Sequence, residues 1–124
     1  MIVGIGNDIV SVADIGKSIS RSNRFLQRVF CPSEQVYCDQ KPKRFQHYAG
    51  NFSVKEAIMK ALGTGWNNGV HWKHIEVIRN HAGKPEVILH DTAKKQADAL
   101  LVKNIYVSLS HTEQYATAVA ILEK

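Results

Sequence analysis

The sequence predicts an α+β fold in which an antiparallel sheet packs on one long buried helix. Three observations predict it. Residues 45–62 are apolar around most of the helical circumference, the mark of a helix enclosed on several sides. Two short runs, Ile75–Arg79 and Pro85–Leu89, flank Asn80-His81-Ala82-Gly83, which has the composition of a hairpin turn. Two further apolar runs, 105–109 and 116–122, follow one another with only Ser110-His111-Thr112-Glu113-Gln114 near their junction. A hairpin and adjacent final strands suit α+β better than alternating βα units.

Taken in order, residues 1–5 form a short apolar strand that runs into the glycine-rich Gly4-Ile5-Gly6-Asn7-Asp8, predicted as a turn. Ser11 can cap a helix carrying Val12, Ile15 and Ile19 on one side. A second helical stretch covers 22–30, with Phe25 and Val29 four apart and Arg24 and Arg28 beside them. Pro32-Ser33 opens a short helix to about Asp39, and Lys41-Pro42-Lys43-Arg44 is a basic break. The long helix follows, with Phe45, Tyr48, Ala49, Phe52 and Met59 on one face and Gly63 and Gly65 as its stop. After the hairpin, Asp91 or Thr92 begins a helix to about Leu101. No repeat, linker or low-complexity segment interrupts the chain, so 1–124 is expected to be a single domain.

Sixteen Lys and Arg against eleven Asp and Glu give a formal charge of +5. That balance favours polyanionic partners, whether nucleotide phosphates, nucleic acid or an acidic protein. A basic nucleic-acid-binding module is one competing reading; it lacks the interleaved exposed aromatics of a single-strand binder and leaves Glu56 without a role. Two cysteines, Cys31 and Cys38, are too few for a disulfide framework, and no run approaches the roughly 20 apolar residues of a membrane span. The expectation is a cytoplasmic protein that engages neither membrane nor nucleic acid.

Glu56 is the sharpest anomaly, a carboxylate within the stripe of a helix that should be buried. Such a group is neutralised, paired or bound to metal, and an intrahelical pair with Lys60 is the plain alternative. Asp8 is the second clue, placed where a sheet edge presents ligands or where an Asx-turn closes. Two carboxylates together with substrate phosphates make a typical Mg²⁺ site, because this hard ion keeps water and needs few protein ligands. Gly4 and Gly6 lack the third glycine of a dinucleotide fingerprint and serve close backbone approach or a tight turn. His111 ends a hydroxyl-rich strand, as a relay, a phosphate-binding loop end or an ordinary surface turn. Arg21, Arg24 and Arg28, and separately Lys41, Lys43 and Arg44, are basic clusters that grip phosphates or an acidic surface, or are simply solvated.

Together, Gly4-Ile5-Gly6-Asn7-Asp8-Ile9-Val10, Phe52-Ser53-Val54-Lys55-Glu56-Ala57 and Lys60-Ala61-Leu62-Gly63-Thr64-Gly65 resemble the holo-[acyl-carrier-protein] synthase family of small bacterial 4'-phosphopantetheinyl transferases. Gly83-Lys84-Pro85 and Ser108-Leu109-Ser110-His111-Thr112 match its later motifs in the same order. The resemblance implies the phosphopantetheinyl transferase-like fold and Mg²⁺-dependent transfer of phosphopantetheine from coenzyme A to a serine of apo acyl carrier protein. Adenosine 3',5'-bisphosphate is the other product, and the reaction supports fatty acid biosynthesis. It further implies that Asp8 and Glu56 bind the metal and that Lys60 joins them in catalysis. Lys43, Arg44, Gly63, Thr64, Lys84, Pro85, His111 and Thr112 would contact coenzyme A, with His111 and Thr112 near its adenosine and 3'-phosphate. Arg24, Phe25 and Arg28 would dock the carrier protein. Small single units of this kind resemble homotrimers with active sites between subunits. Two positions depart from the family pattern: Asp14 and Asn51 stand where it usually has Arg. They motivate a third reading, a member that docks carriers without turnover, against which stand the intact Asp8, Glu56 and Lys60.

Overall fold

The computed structural model describes residues 1–63 and 69–124. Its elements are β1 (Ile2–Ser11), α1 (Val12–Arg21), α2 (Asn23–Val29), α3 (Pro32–Asp39), α4 (Arg44–Leu62), a 3₁₀ turn (Trp72–His74), β2 (Ile75–Arg79), β3 (Pro85–Leu89), α5 (Asp91–Ala99), β4 (Asn104–His111) and β5 (Tyr115–Glu123). β1, β5 and β4 form an antiparallel sheet in that order, and β2 pairs with β3 as a hairpin. The fold is α+β, with α4 packed against β1 and β5.

α4 is buried as its composition requires. Tyr48, Ala49, Val54, Ala57 and Ile58 have no accessible surface. The facing strand β5 buries Ala116, Ala118, Ala120 and Leu122 in alternation, so small side chains on both elements let the helix lie close to the sheet. Local signals set the helix ends. Ser11 Oγ accepts a hydrogen bond from Asp14 N at 3.3 Å at the start of α1. Gly63 closes α4 in the left-handed region, with φ 77°. The β2–β3 turn is held by Asn80, whose Oδ1 accepts from Ala82 N and Lys84 N at 2.9 and 3.0 Å.

One expectation is corrected. The glycine-rich segment after residue 5 is not a turn: β1 continues unbroken to Ser11, because β5 supplies a pairing partner along its length, with Asp8 opposite Ala118. The glycines serve close approach instead. A Cβ at Gly4 would run into the carbonyl oxygen of Ala61, and one at Gly6 into that of Ala57. We expect Gly6→Ala to destabilise the fold by at least about 3 kcal/mol, since the backbone of a buried helix has nowhere to retreat. Urea unfolding checks this, and a loss under about 1 kcal/mol would contradict the packing.

α4 also buries a charged side chain, Lys55. Both it and Glu34 of α3 are 0% exposed, with Nζ 2.8 Å from Glu34 Oε1. Lys55 also donates to the carbonyls of Trp72 at 3.0 Å and Ile75 at 2.7 Å. Glu34 in turn accepts from Cys31 N and Val77 N, each at 2.7 Å. The pair therefore ties α3 and α4 to the 3₁₀ turn and β2 through bonds that satisfy both charges.

Candidate active site

Asp8, in the middle of β1, and Lys60, near the end of α4, meet where the strand crosses the helix. Lys60 Nζ donates to Asn7 O at 2.9 Å and to Asp8 Oδ1 at 3.3 Å. Glu56 lies one turn earlier on α4 and is half-buried, not enclosed as the helical stripe predicts. Burial raises the Asp8 carboxyl above its usual range, and the Lys60 hydrogen bond and charge oppose that rise. Burial also raises Glu56, and the negative charge of Asp8 raises it further. A hydrogen bond with the Trp72 side chain and the Lys60 charge pull Glu56 the other way. Two carboxylates from distant parts of the chain thus repel each other across one site, with one ammonium beside them. The ammonium bonds to Asp8, whereas the plain alternative read from the sequence was a pair with Glu56.

Among the described residues no group of three or more His, Cys, Asp or Glu is arranged to hold a metal. Asp8 and Glu56 are near enough for the charge of Asp8 to raise the Glu56 carboxyl. Their hard oxygen donors, two carboxylates against the one ammonium of Lys60, fit an oxygen-seeking divalent cation such as Mg²⁺, which binds through one or two carboxylates plus phosphate and water.

An aromatic row leads from this site to a basic groove. Phe52, one turn before Glu56, lies 6.2 Å from both Trp72 and Phe25. Phe25 and Trp72 in turn line a cavity of about 280 Å³ together with Arg21, Arg24 and Arg28. The three residues read from the sequence as a docking surface, Arg24, Phe25 and Arg28, therefore line one groove, whose wall includes Trp72, the side chain that hydrogen-bonds Glu56. Asp14 is exposed in the first turn of α1, where an acid suits the helix N-terminus.

The remaining sequence candidates gather elsewhere. Lys43 pairs with Glu113 at 3.0 Å and Arg44 with Asp39 at 3.2 Å, both solvent-exposed. His111 Nδ1 lies 2.9 Å from Gln46 Oε1, and its ring is 5.1 Å from that of His47. Thr112 Oγ1 accepts from Gln114 N and Tyr115 N, closing the β4–β5 turn. Lys84 and Pro85 lie at the β2–β3 turn, where Pro85 faces Arg79. Gly63 caps the C-terminal end of α4, and Thr64 lies outside the described residues. His47 and Glu56 are nine residues apart on one helix, so about 13 Å separates the two groups along its axis.

Sequence reasoning missed Trp72, Lys55, Glu34 and Arg79. Lys55 and Trp72 are joined through a backbone carbonyl and 17 residues of chain, a contact that no local pattern announces.

Residues 4–120 match the 4'-phosphopantetheinyl transferase superfamily. The chain is 44% identical over 124 residues to a holo-[acyl-carrier-protein] synthase of Solibacter usitatus (strain Ellin6076) and 45% identical over 124 residues to one of Koribacter versatilis (strain Ellin345), covering 99% of each chain in both cases. It is also similar to the crystal structure of the Neisseria meningitidis enzyme of that name, with TM-score 0.89, 31% identity and full coverage of both chains. The Helicobacter pylori enzyme in complex with coenzyme A gives TM-score 0.84 and 33% identity, over 96% of this chain and 99% of that one. The carboxylate pair at the strand–helix crossing thus sits in a fold and a sequence that agree throughout, and the chain belongs to the 4'-phosphopantetheinyl transferase superfamily, within its holo-[acyl-carrier-protein] synthase family.

Proposed function

We propose that the chain, as a single transferase domain over residues 1–124, moves 4'-phosphopantetheine from coenzyme A to a serine of an apo acyl carrier protein, with Mg²⁺ held by Asp8 and Glu56. The observation that carries this reading is the convergence of Asp8, Glu56 and Lys60 where β1 crosses α4. Solved relatives bound to coenzyme A support the substrate. The serine hydroxyl attacks the β-phosphorus and gives up its proton to water or to a carboxylate of the site, the bond from that phosphorus to the bridging oxygen breaks, and adenosine 3',5'-bisphosphate leaves. Asp8 and Glu56 would hold Mg²⁺, which would supply Lewis-acid polarisation of the phosphoryl oxygens and offset their charge. Asp8 and Glu56 provide oxygen ligands in a half-buried wall. Lys60, tethered to Asn7 O and Asp8, adds positive charge where the leaving oxygen becomes negative.

The groove lined by Arg21, Arg24, Phe25 and Arg28 suits an acidic carrier protein, because clustered guanidinium groups steer and hold a negative surface. Trp72, in the wall of that groove, also hydrogen-bonds Glu56, which supports a carrier bound there with its serine near the carboxylates. Carrier modification of this kind serves fatty acid biosynthesis. The free thiols of Cys31 and Cys38 suit the reducing cytoplasm, and among the described residues no helix is long and apolar enough to cross a membrane.

We also infer a homotrimer with active sites between subunits. The outward face of the β1-β5-β4 sheet presents Ile5 and Ile9, 66% and 68% exposed, with Tyr106 and Tyr115 alongside. Contiguous apolar surface of this kind favours burial against another copy. The separation along α4 supports the same arrangement. Within one chain His111 and His47 lie far from Glu56, whereas a neighbouring copy can bring its own equivalents to a substrate seated at the carboxylates.

The test is to incubate the protein with apo acyl carrier protein and coenzyme A, with and without Mg²⁺, and to weigh the carrier. The expected result is the mass gain of one phosphopantetheine group only when Mg²⁺ is present. An unchanged carrier at every Mg²⁺ concentration would overturn the proposal.

A further inference from the structure

A second cationic cluster lies toward the N-terminal half of α4, away from Asp8 and Glu56. Arg79, the last residue of β2, places its guanidinium carbon 4.7 Å from the centre of the Tyr37 ring. Lys41 Nζ lies 4.8 Å from the same ring. His47 packs edge-on to Tyr37 at 6.0 Å and to His111 at 5.1 Å. Burial holds the His47 pKa below its usual value, and His111, Lys41 and Arg79 depress it further, so four basic side chains share one electrostatic neighbourhood.

Arg79 is the one of them with a buried donor that has no partner among the described residues. Its Nη2 donates to Asn51 Oδ1 at 3.1 Å. Its Nη1 is buried and has no acceptor among the described residues, nor does any carboxylate there form an ion pair with it. A buried guanidinium donor without a partner is costly, and a fork of this shape is matched by an oxyanion. Tyr37, Lys41 and His47 are partly exposed, so rotation of side chains alone can admit an anion beside them.

We propose that Arg79, with Lys41 and His47, binds the phosphate monoester of the coenzyme A substrate, doing from β2 what an arginine at position 51 of α4 would otherwise do. The inference rests on the coenzyme A reading above and adds the residue that selects one group of that substrate. Coenzyme A carries two anionic groups, a diphosphate and a 3'-phosphate monoester. The diphosphate goes to Asp8, Glu56 and Lys60, which leaves the monoester for a separate cationic site. Two contacts place Arg79 at that site. It bonds to the amide of Asn51, where the family pattern has a guanidinium, and it faces Pro85 across the hairpin, next to Lys84.

The experiment is calorimetric titration, with Mg²⁺ present, of the wild type, Arg79→Met and Arg79→Lys with coenzyme A, 3'-dephospho-coenzyme A and inorganic phosphate. The wild type is expected to bind coenzyme A at least about 10-fold more tightly than the dephospho form, the scale of one charge-assisted phosphate contact. Arg79→Met should erase that discrimination by weakening coenzyme A while leaving the dephospho form within about twofold, and Arg79→Lys should keep part of it. Inorganic phosphate should compete with coenzyme A in the wild type and not in Arg79→Met. A preference retained in Arg79→Met overturns the assignment, as does equal weakening of both coenzymes. Phosphate that competes equally in both proteins also overturns it. A wild type that binds neither coenzyme contradicts the transferase reading itself, so the two failures are distinguishable. Thermal melting by circular dichroism confirms that each variant is folded, and because the readout is a ratio between two ligands, a general loss of packing does not mimic the expected result.

Discussion

Glu56→Gln is expected to lower phosphopantetheine transfer by roughly 10³-fold while making the metal-free protein more resistant to heat. The loss of rate follows from the proposed role of Glu56 as one of two carboxylates holding the metal, on the scale seen when a key electrostatic group is deleted. The gain in stability follows from the pKa shift. Burial and the Asp8 charge raise the folded-state pKa of Glu56 above its unfolded value. Between those two values the folded state binds more protons than the unfolded state, so stability falls as pH rises through that window and stays low above it. The neutral amide does not ionise and escapes that loss. At pH 7 without metal, Glu56→Gln should melt a few degrees above the wild type. Added Mg²⁺ should raise the melting temperature of the wild type and barely move the variant. Calorimetry and the carrier mass assay check the two halves. Turnover near the wild-type rate would remove Glu56 from the site, and a lower metal-free melting temperature would make it a structural residue.

Lys55→Met should cost about 3–5 kcal/mol, because it leaves Glu34 charged, fully buried and without its cation. Against a total stability of about 5–15 kcal/mol, that is enough to lower the melting temperature by roughly 10–20 °C. The exposed pair Lys94–Asp98 supplies the control, and Lys94→Met should cost less than about 1 kcal/mol. Transfer should fall as well in the folded fraction. Lys55 holds the carbonyls of Trp72 and Ile75, and so fixes the turn that presents Trp72 to Glu56. A loss under about 1 kcal/mol for Lys55→Met would show that the pair is no linchpin.

These two neighbours on α4 show where sequence reasoning reached and where it stopped. A helix apolar around its circumference was expected to be buried, and it is. The same uniformity removed the contrast needed to say which charged residue faces inward. Helical spacing put Glu56 inside, whereas the structure buries Lys55, for which a matching carboxylate and two carbonyls wait. The glycine pair was ambiguous for a similar reason. A turn and a close crossing both call for a missing Cβ, and only the position of Ala57 and Ala61 chooses the crossing. Lys43 and Arg44, which the resemblance implies as substrate contacts, pair in the single chain with Glu113 and Asp39 on the surface, partners that no local pattern indicates.

Local chemistry along the chain determined the helix caps, the Asn80 hairpin, the alternation of the final strands and the residue types of the carboxylate site. Each depends on residues within a few positions of one another, or on a motif order that survives without coordinates. Only the packed structure decided that Asp8 sits inside a strand opposite Lys60, that Glu34 neutralises Lys55, and that Arg79 reaches Asn51. Those pairings join residues 21 to 52 positions apart, and they arise because burying a charge or a polar group demands a partner from wherever the fold can bring one.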